Sequence, residues 1–234
     1  MLHRIWGLAP RRLVVSALAM TIAACAAKQL PPPPPPPPKV VAIPPRPTPP
    51  DGAAAGLMIP PADATGLRRS VNREISPNQM LWNLRSAFNV AALNCNAPKH
   101  DGIVPAYRSF LKTYGKKLSA ANKQVDTEFK KQHGARYAGP RDVYMTTVYN
   151  HFALPPTRTH FCDATMAVMR DLQGVKSAEL EAFAVRSLPS VEVVFDDFYR
   201  RYAAYQADLA AWQALYKPSE LQPQSAQAQI VPAG

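Results

Sequence analysis

The densest group of reactive side chains in this sequence is His160-Phe161-Cys162-Asp163, with His151 a short way upstream. A thiol beside a histidine and a carboxylate suggests a cysteine nucleophile, which needs a base and an orienting group within hydrogen-bond reach. The same side chains suggest a metal site, which needs three or four ligands at suitable spacing, such as two histidines one turn apart on a helix. Pro155-Pro156 separates His151 from His160 and keeps them off a common helix, and a disulfide at Cys162 would remove the nucleophile. No catalytic residue, metal or cofactor is therefore assigned. Glu74, Glu128, Glu179, Glu181 and Glu192 are no better placed. None sits in the Glu-Ser and glycine-rich setting of lytic transglycosylases, which are also helical, exported and basic. No Gly-x-Ser-x-Gly or phosphate-binding glycine loop occurs either.

Cys25 is the third reactive position. It follows an apolar run, Leu13 to Ala24, broken only by Ser16 and Thr21 and preceded by His3, Arg4, Arg11 and Arg12. A basic start, a short apolar run and small residues at the cut make an export signal. The run is too short to span a bilayer, which takes roughly 20 apolar residues. Ile22-Ala23-Ala24-Cys25 resembles the lipobox of bacterial lipoproteins. The resemblance implies that residues 1–24 are removed and that Cys25 becomes an acylated N-terminus carrying a diacylglyceryl thioether. Two or more acyl chains anchor stably where one does not. Ala26 stands where an inner-membrane retention Asp would be, which implies outer-membrane sorting. The alternative is ordinary cleavage near Ala24 or Ala26 and release of a soluble protein.

With Cys25 acylated, Cys95 and Cys162 are left as an even pair in an oxidising compartment, and a bridge between them is expected. Two buried free thiols are the alternative. The chain has a formal net charge of +11. Loss of Arg4, Arg11 and Arg12 with the signal lowers this by three and leaves it basic. In the envelope such a balance points to lipid headgroups, lipopolysaccharide or peptidoglycan carboxylates rather than to nucleic acid.

The elements that would carry these residues begin after a proline-rich stretch. Pro31 to Pro38 is unbroken and is followed by Pro44, Pro45, Pro47, Pro49, Pro50, Pro60 and Pro61. Such a chain takes the polyproline II form, and residues 25–75 read as a stalk, with Asp51 to Thr65 continuing its disorder. Its blander role is a spacer; docking of a proline-binding partner is the sharper one. From Ser76 the pattern is helical, and period-two alternation is scarce. Helices are expected from Pro77 to about Asn96, Val104 to His133, Pro140 to Phe152 (with Val143, Tyr144, Val148 and Phe152 inward), Thr159 to Gly174 and Ser177 to Leu188. A sixth runs from Pro189 to Pro218, with Phe198, Tyr202, Tyr205, Leu209, Trp212 and Tyr216 in its core seam. The expectation is an all-α bundle of five or six helices over 76–217 with a disordered tail over 218–234.

The second helix carries Arg108, Lys112, Lys116, Lys117, Lys123, Lys130 and Lys131 against Asp126 and Glu128. These seven are candidate contacts with an anionic surface, a solvated face being the plainer reading. Leu81 to Cys95, Tyr144 to Asn150 and Phe161-Cys162 together resemble a family of exported alphaproteobacterial proteins. That resemblance covers most of 76–172, implies no activity, and supports the cysteine pairing because both cysteines belong to the pattern. Asn83, Asn89, Asn94, Tyr149 and Asn150 within it are expected to make helix-to-helix hydrogen bonds. The sequence thus points to a lipid-anchored envelope protein with a binding or scaffolding domain. Its partners are the membrane, through the anchor, and peptidoglycan or another envelope protein. A peptidoglycan-modifying enzyme using a carboxylate not identifiable from sequence is the alternative.

Overall fold

Ser76 opens the helical part in the way its sequence dictates. Its side chain accepts the Gln79 backbone N–H at 3.1 Å, and the Gln79 side chain accepts the Ser76 N–H at 2.9 Å. With Pro77 at the first position, this reciprocal cap satisfies donors that the first turn would leave unpaired. The computed structural model describes residues 43–216. The signal, Cys25, the octaproline and the 218–234 tail lie outside the described residues. Five α-helices are present: α1 (Pro77–Asn94), α2 (Ile103–His133), α3 (Ala138–Phe152), α4 (Arg158–Asp171) and α5 (Leu180–Tyr216). Among the described residues there is no strand beyond a single isolated bridge between Ala62 and Arg68. The domain is an all-α bundle.

Helix α1 is its axis. Leu84, Ala87, Phe88 and Ala91 are fully buried on one side, and Asn83 and Ser86 are just as buried on another. A helix enclosed in this way must have neighbours all round, and α1 packs against each of the other four. Helix α2 is the opposite case. It buries Ile103, Tyr107, Phe110, Tyr114, Leu118, Ala121, Val125 and Phe129 at helical spacing and leaves the rest to solvent. It runs unbroken through Gly115 and closes at Gly134, whose φ of 61° suits glycine.

Three expectations are corrected. The fifth and sixth helices are one, because α5 continues through Pro189. An interior proline loses a hydrogen bond and costs roughly 3 kcal/mol. Here Leu188 and Val191 on either side are both core residues, at 1% and 0% exposure, so packing holds the two halves in line. Val143, expected inward, is exposed; Met145, Val148 and Phe152 form the inner face of α3. Trp212 is not core either: it is half-buried, and its indole N–H donates to the Pro44 carbonyl at 2.8 Å.

That last bond belongs to a larger difference. The stalk was expected to reach residue 75 and its disorder to include Asp51–Thr65, yet residues 43–75 lie as an irregular strap against α5. The Tyr202 hydroxyl, fully buried, donates toward the Ala54 and Ala55 carbonyls at 2.7 and 2.9 Å. It also accepts the Leu57 N–H at 2.9 Å. Arg201 pairs with Asp51 and Arg73 with Asp196, while Ala53 is buried in the core. Composition missed this because a proline-rich chain lacks ladder hydrogen bonds of its own; here side chains from α5 supply the partners.

Cys95, the residue closing α1, is bridged to Cys162 in the first turns of α4, with Cα atoms 5.7 Å apart. The crosslink spans 67 positions, for which chain entropy gives roughly 4 kcal/mol. Beside it the buried His100 ring bonds Asp163 at 2.7 Å, and Lys99 pairs with the same carboxylate. Replacing both cysteines by alanine is expected to cost about 4 kcal/mol in denaturant unfolding and to leave the helical circular-dichroism signal of the folded state intact. A loss below about 1 kcal/mol would show that the bridge hardly constrains the unfolded chain.

Candidate functional site

The seven basic residues singled out in the sequence all lie on α2, and all are exposed. At 3.6 residues per turn, Arg108, Lys112, Lys116, Lys123 and Lys130 fall within roughly 80° of arc and along roughly 33 Å of axis. Lys117 and Lys131 lie off that stripe, both to one side of it. Among the described residues none of the seven lies within ion-pair distance of a carboxylate. The two acids of α2 that could neutralise it are engaged elsewhere. Asp126 pairs with Arg141 of α3, and Glu128 accepts the Ser76 hydroxyl at 2.8 Å. Lys130 rests its ammonium 4.9 Å over the Tyr137 ring, a cation–π contact that leaves the charge in place.

Along the seam between α1 and α2 runs a groove of about 510 Å³, lined by Trp82, Arg85, Gly115, Ser119, Asn122 and Lys123 together with Leu111 and Leu118. Asn122 is oriented by two donors to its side-chain oxygen, the Trp82 indole N–H at 3.1 Å and Arg141 at 2.9 Å. Its amide N–H₂ therefore faces away from both, with no partner among the described residues.

A second polar cluster is internal, and the sequence reading did not find it. Among the described residues Glu192 is the one buried carboxylate, at 4% exposure. Its Oε2 meets His151 of α3 at 3.0 Å and accepts the Asn72 side-chain N–H of the strap at 2.7 Å. Asn72 in turn accepts from Asn83 of α1 at 2.8 Å, and Asn83 accepts the Tyr144 hydroxyl at 2.9 Å. The chain of bonds joins the strap, α1, α3 and α5. Of the polar residues expected to bridge helices, Asn83 does so, whereas Asn94 bonds back to Val90 of its own helix.

Burial opposes ionisation of Glu192, but the His151 hydrogen bond and charge outweigh it, with Ser70 and Asn72 adding, and hold the carboxyl below the ordinary glutamate range. Burial pushes the Tyr144 hydroxyl well up, and the bond to Asn83 offsets only part of this. A carboxylate held ionised is a poor general acid, since that role needs a raised value. Its setting suits a structural tie. His160 is exposed, Cys162 is bridged and Asp163 is paired with Lys99 and His100. The reactive group that opened the sequence reading is not assembled into a nucleophile. Among the described residues no three His, Cys, Asp or Glu side chains are grouped to hold a metal.

No protein-family model matches the chain, and neither a curated protein nor a solved structure shows significant similarity to it.

Because the folded-state value of Glu192 is depressed, its contribution to stability is present above the ordinary glutamate value of 4.5. It is lost as pH falls through the lower folded value. Glu192→Gln is expected to cost roughly 3 kcal/mol at neutral pH and to flatten the decline in unfolding midpoint as pH falls below 4.5. An acid dependence identical to wild type would show that the pair with His151 is not the group titrating there.

Proposed function

We propose that this chain is a bacterial envelope lipoprotein, anchored through acyl chains on Cys25, whose helical domain binds an anionic component of the envelope and does no chemistry of its own. The observation that carries the binding part is the unpaired stripe on α2. Five cations on one face, with both acids of the helix turned to other partners, leave a field that attracts anions and is screened by salt. The anchor rests on the Ile22–Cys25 pattern. No helix among the described residues is long and apolar enough to cross a membrane, and the reading places attachment at Cys25, with the outer membrane as destination.

The strap alters the reach of the tether. Residues 26–42 join the anchor to the docked part, and at about 3.1 Å per residue they extend roughly 53 Å at most. The domain then works close to the membrane that holds it, within reach of peptidoglycan. The enzyme alternative needs a carboxylate that can be protonated in place, and Glu192, the buried one among the described residues, is held ionised.

Envelope fractions carrying the full chain should show a mature mass beginning at Cys25 with two or three acyl groups, and Cys25→Ala should leave the membrane. Lys112→Gln/Lys116→Gln/Lys123→Gln/Lys130→Gln should weaken retention on isolated peptidoglycan or anionic vesicles at least tenfold. An unmodified wild-type mass in the soluble fraction would remove the anchor. Equal retention of the charge variant on both materials would remove the binding face.

A further inference from the structure

The stripe explains attraction, but it does not explain the groove beside it. Gly115 stands in the middle of a 31-residue helix, where glycine is unfavourable relative to alanine. Nothing in the fold calls for it. A Cβ built at Gly115 meets nothing within 4 Å, and its φ is not in the left-handed region. Neither packing nor backbone conformation needs the glycine. What the missing side chain does is leave the groove open, with Ser119 one turn further along the same row.

The side chains around that opening are donors. Arg85 projects from α1 and Lys123 from α2, and Asn122 offers an amide N–H₂ whose orientation is fixed from behind by Trp82 and Arg141. A fixed donor costs little ordering on binding. Fixed amide, hydroxyl and two cations in a concavity match a ligand rich in oxygen acceptors and carrying negative charge. A lipid bilayer has the charge but not the shape: its surface is broad, and the amide lies in a cleft between helices. Proteins that lie in a bilayer surface also bury apolar side chains in it. From Arg108 to Lys130, α2 exposes no large apolar side chain.

We propose that the α1–α2 groove is a binding site for a carboxylate-bearing glycan strand, seated at Gly115 and Ser119. Its acceptors meet Asn122 and Ser119, its carboxylates meet Arg85 and Lys123, and the stripe from Arg108 to Lys130 follows the strand onward. This rests on the proposed anionic-surface reading and gives it a polymer and a seat.

The test separates shape from charge. The full chain, in detergent, is titrated against peptidoglycan sacculi, sacculi whose carboxylates have been amidated, and vesicles with a fixed fraction of anionic lipid. Gly115→Leu and Ser119→Phe each fill the groove and keep every charge. Both sites face open space, so their unfolding midpoints should stay near wild type; whichever variant holds its midpoint serves. Lys112→Gln/Lys116→Gln/Lys130→Gln removes charge from the stripe and keeps every residue that lines the groove. The expected result is a tenfold or greater loss of sacculus binding for the filled-groove variant with vesicle binding unchanged, and a comparable loss on amidated sacculi. Filled-groove variants that bind sacculi like wild type, while the charge variant does not, would overturn the glycan groove and leave the cationic face standing. The same pattern with vesicles bound as tightly as sacculi would assign that face to a membrane. A charge variant that binds everything like wild type would remove the anionic-surface reading as well.

Discussion

A carboxylate enclosed among aromatic side chains stays ionised only while hydrogen-bond donors stay beside it. Glu192 has the His151 ring on one side, itself packed at a tilt against Phe195 with centroids 4.0 Å apart, and the Asn72 amide on the other. Removing either leaves a buried charge short of partners, which costs several kcal/mol. The strap therefore cannot leave α5 without exposing or neutralising Glu192, and α3 cannot shift without losing the same carboxylate. Through Asn72 and Asn83 the constraint reaches α1, and through Asn83 it reaches Tyr144. Three pieces of chain that share no sequence neighbourhood meet at one oxygen, and a fourth is joined to it through Asn72.

This tie gives the extended segment a defined place. Proline-rich sequence has no means of satisfying its own backbone by sheet or helix, so it is usually left to water. Along α5 the side chains do that work. Trp212, Tyr202 and Arg201 take up Pro44, Ala54, Ala55, Leu57 and Asp51, and the longest helix becomes the rail on which the strap runs. The aromatic seam expected to be core is partly a docking surface for the chain's own N-terminal segment. Tyr202 shows both uses, with a ring at 0% exposure and a hydroxyl that holds backbone groups of the strap.

What was legible in the sequence was whatever rests on local rules. The Ser76–Gln79 cap, the closure of α2 at Gly134 and the period of α2 each follow from nearby residue types, and the pairing of Cys95 with Cys162 from setting the third cysteine, Cys25, aside as the proposed anchor. The misses involve long-range partners. Pro189 reads as a break because its cost is local, while the packing of Leu188 and Val191 that offsets it comes from other helices. Glu192 reads as an ordinary helix glutamate beside Val191 and Val193, and its partners lie 41 and 120 positions away. The mid-helix Asn83 was the available clue, since asparagine is mildly unfavourable there and needs a reason.

Pro189 and Gly115 break the same rule, and comparing them separates structure from function. Both are poor helix residues inside long helices. At Pro189 the compensation is visible in the buried neighbours on either side. At Gly115 it is not: no atom approaches where a side chain would be, and alanine would fit with a gain in helix propensity. A departure from local consistency that the fold itself does not offset is the expected mark of a working surface. It occurs in the groove where Asn122 is fixed from behind and Arg85 and Lys123 have no ion-pair partner among the described residues. The same helix engages Asp126 with Arg141 and Glu128 with Ser76, so charge and shape depart from the neutral choice on the same helix. That coincidence is the ground for proposing one ligand for the stripe and the groove.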